Sequence, residues 1–231
     1  MLSVIPNPPR IALPVAGSED LFPVRRVYCV GRNYAAHARE MGKDPDREPP
    51  FFFMKPADAL QACGSEPTHH PYPPRTENYH FEIELVAALA TGGRDIPVET
   101  ALDHVYGYAI GLDMTRRDLQ DEAKALARPW DLGKAADFSA PIGPIHPAAA
   151  IGHPARGPIT LSVDGAERQR GDLADMIWSL PEQIAYLSAY FELQPGDLIF
   201  TGTPAGVSPV RRGERMVGAV AGLGEIVLDV A

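Results

Sequence analysis

Residues 79–90, YHFEIELVAALA, combine the pattern of a β-strand with two closely spaced acids. Glu82 and Glu84 alternate with apolar residues, and the apolar run 86–90 follows them. Side chains alternate across a strand, so both carboxylates point to the same face. The apolar run favours a strand that is buried on both faces, where two like charges need a cation or several donors.

Two interpretations of this acid pair remain open from the spacing alone. The pair could lie on the solvent face of an edge strand, as most acids with this spacing do. Alternatively, it could bind a hard divalent cation, because carboxylate oxygens suit Mg²⁺ or Ca²⁺. Asp113 is the candidate third ligand, since it ends a second apolar stretch, YAIGLDM, where an uncompensated aspartate is equally unexpected.

Composition excludes several classes of partner. The 231-residue chain has a net charge of −9, which argues against a nucleic-acid or anionic-lipid surface. Its two cysteines show no disulfide or zinc spacing, its first residues do not resemble a signal peptide, and no apolar stretch approaches the length of a membrane helix. We therefore expect a cytoplasmic protein that binds neither nucleic acid nor membrane.

The 24 prolines and 21 glycines favour short strands and turns over long helices. We expect an extended arm over residues 1–24 and a single catalytic domain over 25–231. The stretch 67–74, PTHHPYPP, is predicted to be a surface loop with two solvated histidines. Strands outnumber helices in irregular order, so the pattern predicts an α+β fold with an antiparallel or mixed sheet.

Five stretches, in this order, resemble motifs of the fumarylacetoacetate hydrolase family: VGRNYAAHAREM (30–41), FEIELV (81–86), GLDMTRRDLQDE (111–122), PWDLGK (129–134) and GDLIFTGTPAGV (196–207). The chain is most similar to the short acylpyruvate/fumarylpyruvate hydrolase branch. This resemblance implies a β-rich, roll-like catalytic domain (a mixed β-sandwich) with short helices. It also implies a bound Mg²⁺ or Mn²⁺ and a homodimer.

The resemblance implies that Glu82, Glu84 and Asp113 hold the metal. Longer family members contribute a further aspartate from the stretch before the catalytic histidine, but CVGRNYAA (29–36) contains no acid here. Three protein carboxylates would leave coordination positions open for a chelating 2-oxo acid substrate.

The resemblance also identifies candidate substrate contacts. Lys134 matches the active-site lysine, and Thr203 matches the carboxylate-binding threonine. The remaining candidates are Arg117 and Gln120, which match family substrate contacts, and Arg32, Tyr34 and Lys55, which lie near the motifs. Arg117 and Gln120 could equally be exposed polar residues of a helix, and Tyr34 could equally belong to the core.

His37 and Glu40 lie three residues apart on one face of a predicted short helix. The pair could be an exposed helical contact. By resemblance to the family's hydrolases, however, it is a general base in which the carboxylate orients the imidazole. The segment 31–42 is accordingly a candidate lid over the substrate.

The expected reaction is metal-dependent hydrolysis of the C–C bond of an acylpyruvate. Fumarylpyruvate is favoured, because RPWDLGKAADFSAPIG (128–143) resembles fumarylpyruvate hydrolases of aromatic-ring (gentisate) catabolism. One alternative is a decarboxylase or tautomerase of oxaloacetate type that uses the same site. A second is a binding module that sequesters a small oxo acid, although such a module would not require His37 with Glu40.

Overall fold

Strands dominate the architecture. The computed structural model describes residues 4–6, 9–35 and 48–231. Its strands are β1 (Ala12–Pro14), β2 (Leu21–Pro23), β3 (Val27–Gly31), β4 (Phe51–Lys55), β5 (Leu60–Ala62), β6 (Thr68–His70), β7 (Tyr79–Phe81), β8 (Ile83–Leu89), β9 (Val105–Leu112), β10 (Thr115–Arg116), β11 (Ala140–Ile142), β12 (His146–Pro147), β13 (Pro158–Val163), β14 (Ala166–Asp172), β15 (Leu198–Phe200), β16 (Ser208–Pro209), β17 (Arg215–Val220) and β18 (Gly224–Val230).

The helices of the described residues are short. They are α1 (Arg117–Ala125), α2 (Asp131–Lys134), α3 (Ala148–Ile151) and α4 (Leu180–Tyr190), with 3-10 turns at Ala57–Ala59, Val98–His104 and Leu173–Asp175. In this part of the chain, no helix is long and apolar enough to cross a membrane.

Two large mixed sheets form the body of the fold. One runs in the order β4-β3-β15-β8-β9-β11-β5, with β12 paired to β9, and the other runs β14-β13-β17-β18-β6. A small sheet, β10-β7-β16, and the hairpin β1-β2 complete the pairing. Parallel pairs (β3 with β15, for example) occur beside antiparallel ones, which confirms the predicted α+β fold with mixed sheets and short helices.

Strand β8 is the centre of the molecule, and every one of its residues is buried. Its odd-numbered side chains, such as Ile83 and Leu85, belong to one hydrophobic core, whereas Val86 and Ala88 belong to a second. The predicted burial on both faces is therefore confirmed. Glu84 and Val86 point to the same face of β8. The acid pair therefore lies on the face whose later residues, Val86 and Ala88, belong to the second core.

Two local predictions from turn and cap residues are confirmed. Helix α4 begins after Ser179, whose backbone N–H and Oγ both donate to Glu182 Oε2, at 2.9 and 2.7 Å. Asp164 and Gly165 join β13 to β14 with φ values of 48° and 76°. Positive φ at both residues is what a two-residue hairpin turn requires.

The N-terminal segment is more ordered than an extended arm. Strands β1 and β2 pair as an antiparallel hairpin, with Leu13 opposite Phe22. Both side chains are buried in the second core. The hairpin thus covers one side of the large sheet. The predicted boundary between an arm at 1–24 and a catalytic domain at 25–231 remains a prediction.

The prediction of a surface loop with two solvated histidines at 67–74 is wrong for the loop and for His70. Residues Thr68–His70 form β6, which pairs in parallel with the C-terminal strand β18. His69 is exposed, but His70 is fully buried. The histidine becomes buried because β18, about 160 residues later in the chain, supplies the partner strand, and this long-range pairing leaves no local signal.

Candidate active site

Strand register brings the three predicted acids together. Glu82 occupies the break between β7 and β8, and Glu84 pairs with Gly111 of β9. Asp113 follows the end of β9, and its backbone N–H donates to the Glu82 carbonyl at 2.9 Å. One carboxylate oxygen of each acid lies within 4.8 Å of the others, and all three side chains are buried.

Three cations surround two of these acids. Lys134, at the end of α2, places Nζ 3.0 Å from Glu82 Oε2 and 2.6 Å from Asp113 Oδ2. Arg117 of α1 donates to Glu82 Oε1, and Lys55 Nζ lies 2.9 Å from Asp113 Oδ1. Burial alone would lower the pKa of Lys134, but the Asp113 and Glu82 carboxylates raise it above its usual value. The lysine is therefore held as an ammonium ion.

Glu84 has a different environment. Its carboxylate accepts a hydrogen bond from the Gly202 backbone N–H at 2.8 Å. Within the described ranges no Lys or Arg side chain forms an ion pair with it. Burial, followed by the charges of Asp113 and Glu82, raises the pKa of Glu84 well above its usual value.

The residues present fit a hard divalent cation. Three buried carboxylates offer only oxygen ligands, the donor type that Mg²⁺ and Mn²⁺ prefer. Glu84 shows the need most clearly, because burial and the charges of Asp113 and Glu82 raise its pKa, and among the described residues it forms no ion pair with a Lys or Arg side chain. A divalent ion would compensate this carboxylate and convert repulsion between the acids into shared coordination.

A loop after β15 closes over the acids. Thr201 and Thr203 donate side-chain hydrogen bonds to the β8 carbonyls of Leu85 and Ile83, at 2.9 and 2.7 Å. Gly202 lies between them with φ of 99°, and a Cβ at this position would come 2.6 Å from Asn33 Cβ. The glycine allows the N–H to reach Glu84. Gln169 Nε2 donates to Thr203 Oγ1 at 2.9 Å and so orients the threonine hydroxyl.

A cavity of about 130 Å³ opens onto the acids. Its buried part is lined by Glu82, Glu84 and Lys134, with Thr203, Arg117 and Gln120 beside them. Asp113 clusters with the two glutamates but does not itself line the cavity, and we call Glu82, Glu84, Asp113 and Lys134 together the acidic end. The half-buried part of the cavity, the aromatic rim, consists of Phe51, Phe53 and Trp130 with Arg32 and Lys124. Both parts line the same cavity, so a small molecule can contact both at once.

Most of the predicted substrate contacts lie at this cavity. Arg117, Gln120 and Thr203 are buried and line it, which removes the alternative that the two helical residues are exposed. Arg117 Nη1 donates to Gln120 Oε1 at 2.5 Å. Arg32 also lines the cavity, with its guanidinium carbon 5.0 Å from the centre of the Phe51 ring.

Two of the predicted substrate-contact residues, Lys55 and Tyr34, do not line the cavity. Besides Asp113, Lys55 Nζ contacts the Met114 carbonyl and Ser139 Oγ, each at 3.0 Å, and the Lys134 carbonyl. Lys55 is fully enclosed by these partners, so it supports Asp113 and Lys134 and is not available to the substrate. Tyr34 is buried and is absent from the cavity lining, in agreement with the alternative that it belongs to the core.

His37 and Glu40 lie outside the described residues, as does most of the candidate lid at 31–42. Their role as a general base remains a prediction.

The aromatic rim was not identified from the sequence. Phe51 and Phe53 lie on β4. The two-residue period of a strand predicts only that their side chains point to the same face. Lys124 did carry a signal, because it follows Gln120 by four residues and Arg117 by seven, which places all three on one side of helix α1.

Comparisons with known proteins match the chain to a family model and to a solved structure of high identity. Residues 26–231 match the family model described as fumarylacetoacetate (FAA) hydrolase, C-terminal. The chain is 58% identical to a solved structure of fumarylpyruvate hydrolase from Pseudomonas aeruginosa in complex with Mn²⁺ and pyruvate. That match covers 100% of this chain and 99% of the other, with a TM-score of 0.98.

Curated relatives include more than one activity. A fumarylpyruvate hydrolase of a Ralstonia species is 43% identical over 192 residues, which covers 82% of this chain and 98% of the relative. The mitochondrial oxaloacetate tautomerase FAHD1 of Arabidopsis thaliana is 40% identical over 205 residues, covering 89% of this chain and 90% of the relative.

Proposed function

This chain belongs to the fumarylacetoacetate hydrolase family, and from that premise we propose that it is a fumarylpyruvate hydrolase. It is a metal-dependent hydrolase that cleaves a C–C bond of a 2,4-dioxo acid, with fumarate and pyruvate as the products. Its cofactor is Mg²⁺ or Mn²⁺. The predicted family, fold and type of reaction are confirmed by these relatives.

The observation that carries the proposal is the joint burial of three carboxylates and an ammonium group at one end of a cavity. Glu82, Glu84 and Asp113 supply the oxygen ligands, and Lys134 lies within hydrogen-bonding distance of two of them. The Pseudomonas aeruginosa fumarylpyruvate hydrolase binds Mn²⁺ and pyruvate. Pyruvate is a product of the proposed reaction.

We assign the binding of the pyruvyl group to the acidic end. The bound Mg²⁺ or Mn²⁺ supplies Lewis-acid chemistry and a template for the 2-oxo acid. Arg117 holds Gln120 Oε1, which leaves the amide –NH₂ group to donate to a substrate oxygen. When substrate binds, the Thr203 hydroxyl exchanges its hydrogen bond to the Ile83 carbonyl for one to the pyruvyl carboxylate, while Gln169 continues to donate to Thr203 Oγ1. Lys134 lies against the enolisable oxygens.

We propose that His37 removes a proton from water while Glu40 fixes its orientation. The hydroxide formed attacks the distal acyl carbonyl of fumarylpyruvate to give a tetrahedral intermediate. Collapse of this intermediate re-forms a carbonyl group and breaks the C–C bond, so the electron pair leaves on pyruvate enolate and fumarate is released. The ammonium of Lys134 stabilises the enolate charge, and protonation of the enolate carbon gives pyruvate.

The oxaloacetate tautomerase relative favours one alternative. Tautomerisation of oxaloacetate also passes through the enolate of a 2-oxo acid, so the acidic end alone would serve either reaction. Only hydrolysis needs an attacking water, and His37 with Glu40 is therefore the feature that separates the two activities.

We further propose a cytoplasmic homodimer that acts in gentisate catabolism. The family resemblance supports the dimer, and the two free cysteines, Cys29 and Cys63, are compatible with a reducing compartment. The likeness to fumarylpyruvate hydrolases supports the pathway.

A spectrophotometric assay tests the proposed function. Loss of fumarylpyruvate should depend on added Mg²⁺ or Mn²⁺, stop with a chelator, and yield fumarate and pyruvate in equal amounts. Oxaloacetate is assayed in parallel. Rapid enol–keto exchange of oxaloacetate without any turnover of fumarylpyruvate would show that the protein is a tautomerase and not a hydrolase.

A further inference from the structure

Helix α1 presents a row of three polar side chains to the cavity. Arg117, Gln120 and Lys124 are spaced three and four residues apart, and all three line it. Arg117 and Gln120 contact each other beside the acidic end. Lys124 lies one turn further along the helix, where the cavity lining changes to the aromatic rim.

The aromatic rim holds the Lys124 ammonium in place. Lys124 Nζ lies 5.5 Å from the centre of the Trp130 ring, within the range of a cation–π contact. Trp130 packs against Phe53 with ring centres 5.8 Å apart, and Lys134 Nζ lies 5.0 Å from the Phe53 ring. A continuous aromatic surface therefore joins the lysine of the acidic end to the lysine of the rim.

The two lysines differ in what already balances their charge. Lys134 is buried between Glu82 and Asp113. Lys124 pairs with Asp121 Oδ1 at 3.1 Å, and the Asp121 side chain is 58% exposed. Exposed pairs of this kind contribute little free energy and exchange readily. Lys124 can therefore leave Asp121 for an anion that enters the cavity.

Fumarylpyruvate carries a second anion at the end of the molecule opposite its pyruvyl carboxylate. Its distal carboxylate lies several bonds beyond the scissile carbonyl, at the end of a flat conjugated chain. Phe51 and Trp130, which meet at 87° with centres 5.6 Å apart, offer apolar walls to such a chain. The carboxylate then needs a cation at the rim, where Lys124 and Arg32 lie.

We propose that Lys124 binds the distal carboxylate of the fumaryl group and so determines the preference for fumarylpyruvate. The proposal rests on the proposed hydrolase function and names the specificity-determining residue of the same site. Lys124 is favoured over Arg32 because helix α1 places it in one row with Arg117 and Gln120. The nearby Arg117 and Lys134 charges add to the positive potential at its ammonium.

The test compares two substrates that share the pyruvyl end. Acetylpyruvate lacks the distal carboxylate, so it reports on the acidic end alone. Lys124→Met removes the charge but keeps an apolar side chain on Trp130. We expect it to lower kcat/KM for fumarylpyruvate by about 10-fold or more, and to change acetylpyruvate turnover by less than about 2-fold. Lys124→Arg should recover most of the loss.

Two further variants, at Arg170 and Arg32, serve as controls for the effect of Lys124→Met. Arg170→Met removes a cation from the exposed pair that Arg170 forms with Glu167, also three residues apart, and should leave both substrates unaffected. Equal losses on both substrates in Lys124→Met, or no loss on either, would overturn the proposal. A selective loss in Arg32→Met instead of Lys124→Met would move the assignment to Arg32. If the unmodified protein hydrolyses neither substrate, the proposed function itself fails.

Discussion

A comparison of two buried polar clusters among the described residues shows that they are built in opposite ways. At the acidic end, Glu82, Glu84 and Asp113 meet inside the fold. Around His70, by contrast, the contacts are neutral: Nδ1 lies 2.7 Å from Gln61 Oε1, and Nε2 lies 3.0 Å from the Tyr79 hydroxyl. The His70 and Tyr79 rings are also stacked, with centres 5.8 Å apart.

The comparison distinguishes a polar cluster that stabilises the fold from a polar cluster that binds a ligand. Each ring nitrogen of His70 has a partner within the protein, so the cluster needs nothing more to be stable. Glu84, in contrast, is a buried carboxylate whose pKa is raised by burial and by its acidic neighbours. A cluster that satisfies its own hydrogen bonds stabilises the fold, whereas one that leaves a charge uncompensated indicates a ligand.

The largest effect is expected at Asp113. Asp113→Ala removes a metal ligand and leaves Lys55 and Lys134 without a shared partner. Hydrolysis of fumarylpyruvate should fall to the background rate, as it should in the unmodified protein treated with a chelator. His70→Asn is the matched change in the neutral cluster, and it should keep its turnover. Full activity of Asp113→Ala in the presence of a chelator would show that hydrolysis does not require the metal.

His37→Ala should lower the hydrolytic rate about 10²- to 10⁴-fold if the imidazole is the general base. Mn²⁺ affinity should stay within about 2-fold, because His37 is not proposed as a ligand and Mn²⁺ binding rests on the three carboxylates. Steady-state kinetics and Mn²⁺ titration measure the two quantities. A variant that loses the metal would show that the role assigned to His37 is wrong.

His70 should make the fold sensitive to acid. Burial, and to a smaller extent the His69 charge, lowers the pKa of His70 from 6.5 to about 4. Between these values the unfolded chain binds more protons than the folded one, so stability is present above pH 6.5 and is lost as the pH falls towards 4. This contribution is about 3 kcal/mol. Chemical unfolding of the wild type and His70→Asn at pH 7 and pH 4.5 measures it, and parallel losses in both would contradict the assignment.

A smaller effect is expected from Lys55, which touches the site through Asp113 and the Lys134 carbonyl. Lys55→Met should weaken Mn²⁺ binding about 10- to 100-fold, the usual cost of losing a partner of a metal ligand. Saturating Mn²⁺ should restore much of kcat, which a simple loss of folding would not allow. An unchanged Mn²⁺ affinity would leave Lys55 with a purely structural role.

Sequence reasoning located the acidic end because its signals are local. Glu82 and Glu84 share a face by the two-residue period of a strand. Asp113 was the candidate third ligand because it ends a second apolar stretch, and the family resemblance implied the same three ligands. The capping box before α4 and the Asp164–Gly165 turn are equally local, and both are present in the structure. Elements that depend on neighbouring residues could thus be predicted.

The errors have a common cause in long-range contacts. His70 is buried because β6 pairs with β18, and Lys55 is removed from the substrate because Asp113, Met114 and Ser139 enclose it. Neither partner set is adjacent in sequence. Lys124 was missed for another reason: its helical spacing from Gln120 was available, but Trp130, the ring that holds it over the cavity, becomes a neighbour only in the fold.

Titration with Mn²⁺, followed by electron paramagnetic resonance of the free ion, measures whether the three buried carboxylates bind a metal. We expect one Mn²⁺ per chain in the wild type and in His70→Asn. We expect strongly weakened binding in Glu84→Gln, whose amide can still accept the Gly202 N–H but carries no charge. Wild-type affinity for Mn²⁺ in Glu84→Gln would show that the metal does not bind at the buried Glu84 carboxylate.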